Sequence, residues 1–337
     1  MTKKMKILIG YDGSNWAEAA IDHLQRAGLP SDAEALVMSV TEHWLSPPPP
    51  SSYEILQQAR DVHVPADIAH VYFKNSPAIR EAESVAARAV ARLRANFPGW
   101  EISAQASIGS PCKELIRKAD EWLPNLIIVG SHGRSLLGRL VLGSVSQGVL
   151  TYAHSSVRIA RGRVKEPGTP VRIVIGVDGT PSSLAAVREV ASRVWPPLSE
   201  VQLIAVNNPL APTLVGQLIP PITKIIVESN QADREFLIKM LESGSQQLQE
   251  LQQSGLRVSS DIHEGDPKRV LVQIAEHWDA DCIFVGSIGF GNPFERFALG
   301  SVSAAVAARA HCSVEVVRPA KNSGGNHHER QSEYSHN

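Results

Sequence analysis

The sequence is short of several things, and each shortage removes a class of protein. It holds three cysteines in 337 residues. Cys112, Cys282 and Cys312 are odd in number and lack metal-ligand spacing, so neither a disulfide framework nor a zinc site is indicated and a reducing compartment fits. No run approaches about 18 consecutive apolar residues, so no spanning helix is expected, and no membrane partner is expected either. Charge of either sign is not in excess: 33 Lys and Arg against 34 Asp and Glu give a net −1. That argues against a broad electrostatic footprint for nucleic acid or anionic lipid. The opening Met1-Thr2-Lys3-Lys4-Met5-Lys6 runs into a strand without an apolar signal region, so the expected location is the cytoplasm. What remains, 43% hydrophobic and 20% charged, describes a soluble globular chain. Its length is about that of two domains of roughly 150 residues.

The chain repeats itself. Ile7-Leu8-Ile9-Gly10-Tyr11-Asp12-Gly13-Ser14 returns as Ile173-Val174-Ile175-Gly176-Val177-Asp178-Gly179-Thr180, a shift of 166. The run Ala35 to Val40 has its partner in Val201 to Val206 at the same shift. Gly109-Ser110-Pro111 matches Gly265-Asp266-Pro267 at 156, as Leu126 to Ser131 matches Cys282 to Ser287, and Gly143-Ser144-Val145-Ser146 matches Gly300-Ser301-Val302-Ser303 at 157. Anchors kept in order with two changes of offset mark a tandem duplication. The first offset change puts extra residues in the first half, where the Pro-rich stretch of about 45–52 reads as a stiff surface loop. The expected organisation is a first domain over 1–161, a linker over 162–169, a second domain over 170–318, and a disordered tail over 319–337 with too little apolar content to pack.

Within each half, short continuous apolar runs read as parallel strands covered on both faces. Amphipathic stretches lie between them. Pro77 to Phe97, with Ser76 as cap, carries a stripe of Ile79, Ala82, Val85, Ala86, Ala89, Val90 and Leu93. Its counterpart runs from about Ala232 to Leu251, with Leu237, Leu241, Leu248 and Leu251 on one face. Further helices span Lys113 to Trp122 and Lys268 to Trp278. The fold class is therefore α/β: two similar doubly wound domains, each an open, mainly parallel five-stranded sheet with helices on both faces.

Ligands of such sheets bind beyond the carboxyl ends of the strands. Asp12-Gly13 and Asp178-Gly179 fall there. A carboxylate at that place can accept hydrogen bonds from a ribose or an adenine amino group, or can simply cap the following helix; the residues leave both readings open. After the fourth strand comes Gly130-Ser131-His132-Gly133, then nine residues, then Gly143-Ser144-Val145-Ser146 opening a helix. Small residues bare backbone amides to an anion, and the hydroxyls of Ser144 and Ser146 at a helix N-terminus suit a polyphosphate. Neither the P-loop nor the Gly-x-Gly-x-x-Gly pattern is present.

On these residues the chain resembles a tandem universal stress protein over about 4–161 and 170–318. Gly130, Gly133, Gly143 and Ser144 match the family's nucleotide motif Gly-x2-Gly-x9-Gly-Ser/Thr. The resemblance implies ATP, with or without Mg²⁺, held by Asp12, by the backbone of Val40 against adenine, and by Gly130, Gly133, Gly143, Ser144 and Ser146. It implies an analogous set of Asp178, Val206, Gly286, Gly289, Gly300, Ser301 and Ser303. The second half departs from the motif. Ten residues separate Gly289 from Gly300, including Gly291-Asn292-Pro293, and proline removes an amide. The resemblance also implies that the last strands of the two halves pair within the chain as a pseudo-dimer, which leaves open a homodimer of two chains.

The other candidates read as structural. His132 has Ile288 as its equivalent, so the duplicated function does not require it. Arg134 and Arg139 read as solvated, His154 and His311 as packing or capping residues, His327-His328 as an adventitious metal pair, and Trp122 and Trp278 as core anchors. No catalytic or metal-ligating set is expected. The function implied is a nucleotide-dependent regulatory module of the stress response. Two alternatives stand beside it: a slow ATP-hydrolysing enzyme and a nucleotide-free interaction protein.

Overall fold

The computed structural model describes residues 4–42, 77–132, 142–208, 220–251, 256–288 and 299–319. The Pro-rich stretch, Ser76, Gly133, Gly289, the Gly291–Pro293 segment, Arg134, Arg139 and the tail from 320 lie outside them.

In the first half the elements are β1 (Met5–Gly10), α1 (Asn15–His23), β2 (Ala33–Thr41), α2 (Pro77–Asn96), β3 (Glu101–Ile108), α3 (Pro111–Trp122), β4 (Leu126–Gly130), α4 (Ser144–Tyr152) and β5 (Ser156–Ala160). The second half follows the same plan with β6 (Arg172–Val177), α5 (Pro181–Ala191), β7 (Glu200–Asn207), α6 (Pro220–Leu251), β8 (Arg257–Glu264), α7 (Pro267–His277), β9 (Cys282–Gly286), α8 (Ser301–Arg309) and β10 (Ser313–Val317). All seven apolar residues of the α2 stripe are buried. Two helices begin earlier than their periodicity indicates: α3 and α7 start at Pro111 and Pro267, where a missing amide costs nothing. The α6 helix begins at Pro220, well before Ala232.

The strands form one ten-stranded sheet in the order β3-β2-β1-β4-β5-β10-β9-β6-β7-β8. Every neighbouring pair is parallel except β5 and β10, which run antiparallel with Glu315 opposite Arg158. Alternation along β1 explains the layers: Ile7 and Ile9 point to one face, Leu8 to the other. On one face α1 with α2, and α5 with α6, cover separate cores in the two halves. On the other face a single core runs through both halves and joins Leu115, Leu150, Leu271 and Val306. Each such side chain taken from water contributes roughly 1.5–3 kcal/mol before chain entropy is counted. Trp122 and Trp278 pack half-buried at its margin, each beneath a cation, Lys6 and Arg172.

The cross-half bonds come in reciprocal pairs. The amide of Arg161 donates to Ser313 Oγ at 3.2 Å, and that of Arg318 to Ser156 Oγ at 3.0 Å. The Arg161 guanidinium reaches the last carbonyls of α8 and the residue after it, Ala308 and Ala310, at 3.2 and 2.6 Å. That of Arg318 reaches Leu150 of α4 at 2.7 Å and Ser155 at 3.2 Å. Each arginine thus satisfies carbonyls at the end of the other half's last helix.

His23 has no such twin. Its Nε2 lies 3.2 Å from the carbonyl of Gly162 in the connecting segment. Burial, reinforced by the charge of Arg158, pushes its pKa down to about 4 from 6.5. The folded chain therefore holds it neutral while the unfolded chain would bind a proton. Its contribution is complete above about pH 6.5 and is lost as pH falls toward 4, by on the order of 3 kcal/mol. Urea unfolding across that window will show a falling midpoint, and His23→Gln will flatten the slope; an unchanged slope in the variant contradicts this assignment.

Candidate functional site

Within each half the chain winds from the first strand outward through the second and third, then returns to the other side for the fourth and fifth. The switch lies between β1 and β4 in the first half. A cleft of about 520 Å³ opens there, beyond the carboxyl ends of the strands. It is lined by Asp12, Val40, Gly130, Gly143, Ser144 and Ser146, so the sequence-predicted first-half residues among those described come together. Leu115 and Val129 lie beneath them, and Glu81, Ala82 and Val85 of α2 form a wall.

The turn after β1 settles what Asp12 does locally. The cap of α1 is Ser14, whose Oγ accepts the Ala17 amide at 3.2 Å. Asp12 stands outside the cap. Its Oδ1 accepts the Ser14 amide at 3.0 Å, bending the chain so that the carboxylate borders the cleft. In the second half Asp178 Oδ1 accepts from both the amide and the hydroxyl of Thr180, at 3.0 and 2.7 Å.

The start of α4 is held in place twice. The Gly143 amide donates to the Ser131 carbonyl at 2.9 Å, and the buried hydroxyl of Ser146 donates to the Gly130 carbonyl at 2.6 Å. The Ser146 proton is thus committed to backbone, whereas Ser144 is exposed. No side chain caps α4, because its cap residue is Gly143; the first-turn amides face the cleft with the positive end of the helix dipole. The second half repeats this: Gly300 donates to Ser287 at 2.7 Å, and Ser303 Oγ lies 3.1 Å from the Ser287 carbonyl. Ser301 is exposed.

Gly130 and Gly286 have a packing reason to be glycine. A Cβ on Gly130 would stand 3.1 Å from the Trp16 carbonyl, and one on Gly286 would stand 2.6 Å from backbone atoms of Ser182 and Ser183. Glycine here lets α1 and α5 sit tightly on the sheet, which the motif alone does not reveal.

The two halves differ around this shared backbone. Beside Gly13 lie Val85 and Arg88, whereas Phe236 and Met240 close on Gly179 within 2.8 and 3.1 Å of where a Cβ would be. His132 packs on Trp16 with centroids 5.0 Å apart, and its Nδ1 lies 3.1 Å from Ser131 Oγ. In the second half Ser182 and Ile288 take those places, joined by an amide-to-hydroxyl bond of 3.3 Å. The sequence does not reveal the α2 wall, because Ala82 and Val85 also belong to the buried stripe and read only as core. Nor does it reveal Tyr11, which is buried and donates to Glu18, whose carboxylate pairs with Arg92 of α2 at 3.3 Å. Burial and then the Glu18 bond push the Tyr11 hydroxyl well above its ordinary pKa. This chain of contacts ties α1 to the helix that walls the cleft.

Ser146→Ala strands the Gly130 carbonyl and loosens the start of α4. We expect a loss of about 1–3 kcal/mol in unfolding free energy, measured by urea titration; a loss below about 0.3 kcal/mol would show that the hydroxyl does not anchor the helix.

The comparisons with known proteins agree with this architecture. The model of the universal stress protein family matches residues 4–161 and again 171–318. A universal stress protein of Mycolicibacterium smegmatis is 27% identical over 317 residues, covering 93% of this chain and 97% of that protein. Among solved structures, a universal stress protein from Archaeoglobus fulgidus superposes with a TM-score of 0.56 at 18% identity, covering 93% and 96% of the two chains. A functionally unknown protein, PA1789 from Pseudomonas aeruginosa, does so at 0.52 and 14%, covering 94% and 93%. With two matched copies spanning nearly its whole described length, the chain belongs to the universal stress protein family.

Proposed function

We propose that the first half binds an adenine nucleotide, ATP foremost, and that the chain serves as a nucleotide-dependent regulatory module of the cytoplasmic stress response. The observation that carries this reading is the meeting of Asp12, Val40 and the uncapped start of α4 in one cleft at the switch of the sheet. Val40 would meet adenine through its backbone and Asp12 the ribose. The amides of α4 and the Ser144 hydroxyl would take the phosphates, with Gly133 completing the motif. Ala82, Val85, Leu115 and Val129 supply apolar surface for the base and sugar.

The charge of the described lining bears on how the phosphates are met. The described lining holds Asp12, Glu42 and Glu81 and neither lysine nor arginine. Among the described residues, backbone amides and the helix dipole are then what meets the anion. No three His, Cys, Asp or Glu side chains among the described residues cluster to hold a metal ion. A Mg²⁺ ion that accompanies ATP would accordingly be held mainly by the phosphates and water, in keeping with its usual habit. The second-half set of Asp178, Val206, Gly286, Gly289, Gly300, Ser301 and Ser303 repeats the backbone plan. We take it as the weaker site because it departs from the motif, with ten residues between Gly289 and Gly300 and Pro293 among them.

Calorimetric titration tests the reading. We expect one ATP per chain, at least tenfold weaker uptake in Gly143→Val, and little change in Gly300→Val. Absence of uptake at roughly millimolar ligand contradicts it. A steady-state hydrolysis rate well above about 1 s⁻¹ would favour an enzyme instead.

A further inference from the structure

The reciprocal pattern of the two halves breaks at the centre of their shared edge. Arg158 of β5 and Glu315 of β10 occupy equivalent positions, 157 residues apart, and face each other across the antiparallel pair. Arg158 is 2% exposed and Glu315 is fully buried. Their side chains meet at 3.1 Å, and Arg193, also buried, grips the same carboxylate. A second cross-half pair lies nearby: Arg26 donates to Asp281 at 2.9 and 3.2 Å. In the first half the equivalent of Asp281 is a neutral Asn125; each accepts the amide at the start of its own half's first strand.

These identities fix which edges can pair. A first half joined to a copy of itself in this register would bury Arg158 against Arg158, and each Arg26 would face asparagine in place of a carboxylate. Two second halves would set Glu315 against Glu315 with one arginine apiece. Only the mixed pair gives the buried carboxylate two guanidinium partners and gives Arg26 its acid. Unpaired buried charge is far more costly than the pair itself is favourable, so the arrangement acts mainly by penalising wrong partners. An unguarded strand edge would otherwise accept any chain of suitable shape.

We propose that the β5 edge of the first half is an addressed interface: it accepts a sheet edge bringing the carboxylates of Glu315 and Asp281, and rejects a second copy of itself. The partner it fits is the second half, in the same chain or in another.

The test uses the full-length protein carrying a protease site at the exposed linker near Gly168, around which the space is open. After cleavage of the folded chain, dilution and reconcentration, native mass spectrometry counts the pairs. We expect mixed pairs only, and we expect Arg158→Met to admit pairs of first halves. First–first pairs from the wild-type protein at their statistical share would overturn the proposal. A second measurement on the uncut chain guards against misfolding: urea unfolding of Arg158→Glu, Glu315→Arg and the double variant. The double variant should have a folding constant about tenfold above that of either single. If the two single effects merely add, the facing charges carry no address and the proposal fails.

Discussion

The antiparallel pairing of β5 with β10 is the contact on which the rest of the molecule depends. It turns two open five-stranded sheets into one sheet of ten and removes an edge from each. It also aligns the helices on one face so that a single core runs beneath both halves. Arg161 and Arg318 then lock the pairing by reaching the helix ends of the opposite half. The carboxyl ends of β1 and β4, where the cleft opens, are held in place by this frame.

Duplication supplied two copies of that frame, and side chains have since set them apart. The backbone at the start of α4 and α8 is pinned by matching bonds, Gly143 to Ser131 and Gly300 to Ser287. Around it, Val85 and Arg88 give way to Phe236 and Met240, and the Trp16–His132 pair gives way to Ser182 and Ile288. The shared backbone thus carries walls that differ between the halves. It keeps the fold's requirement for glycine at Gly130 and Gly286 independent of any ligand.

Much of this was legible in the residues. Repeats at nearly constant offset gave the duplication, and continuous apolar runs gave parallel strands, because a strand covered on both faces has no polar side to show. The α2 stripe emerged buried in full. What sequence could not give were effects of spatial neighbours. Its place at a helix N-terminus suggested the Ser146 hydroxyl for phosphate, yet its proton goes to the Gly130 carbonyl. The residues allow Asp12 as cap or as ligand; the structure gives the α1 cap to Ser14 and leaves Asp12 bordering the cleft. Periodicity read the α6 helix short, since its first turns lie ahead of the leucine stripe that signals it. Arg158 and Glu315 read as ordinary alternating charges, because their burial arises only when the two distant halves meet.

The central claim is that the first half's cleft, and the first turn of α4 above all, receives the nucleotide. Hydrogen–deuterium exchange with and without ATP tests it at the atoms concerned. The account predicts slowed exchange at the amides of 143–146 and in the turn after β1, with little change at 300–303. Equal protection of both helix starts, or protection confined to some other surface, would contradict it.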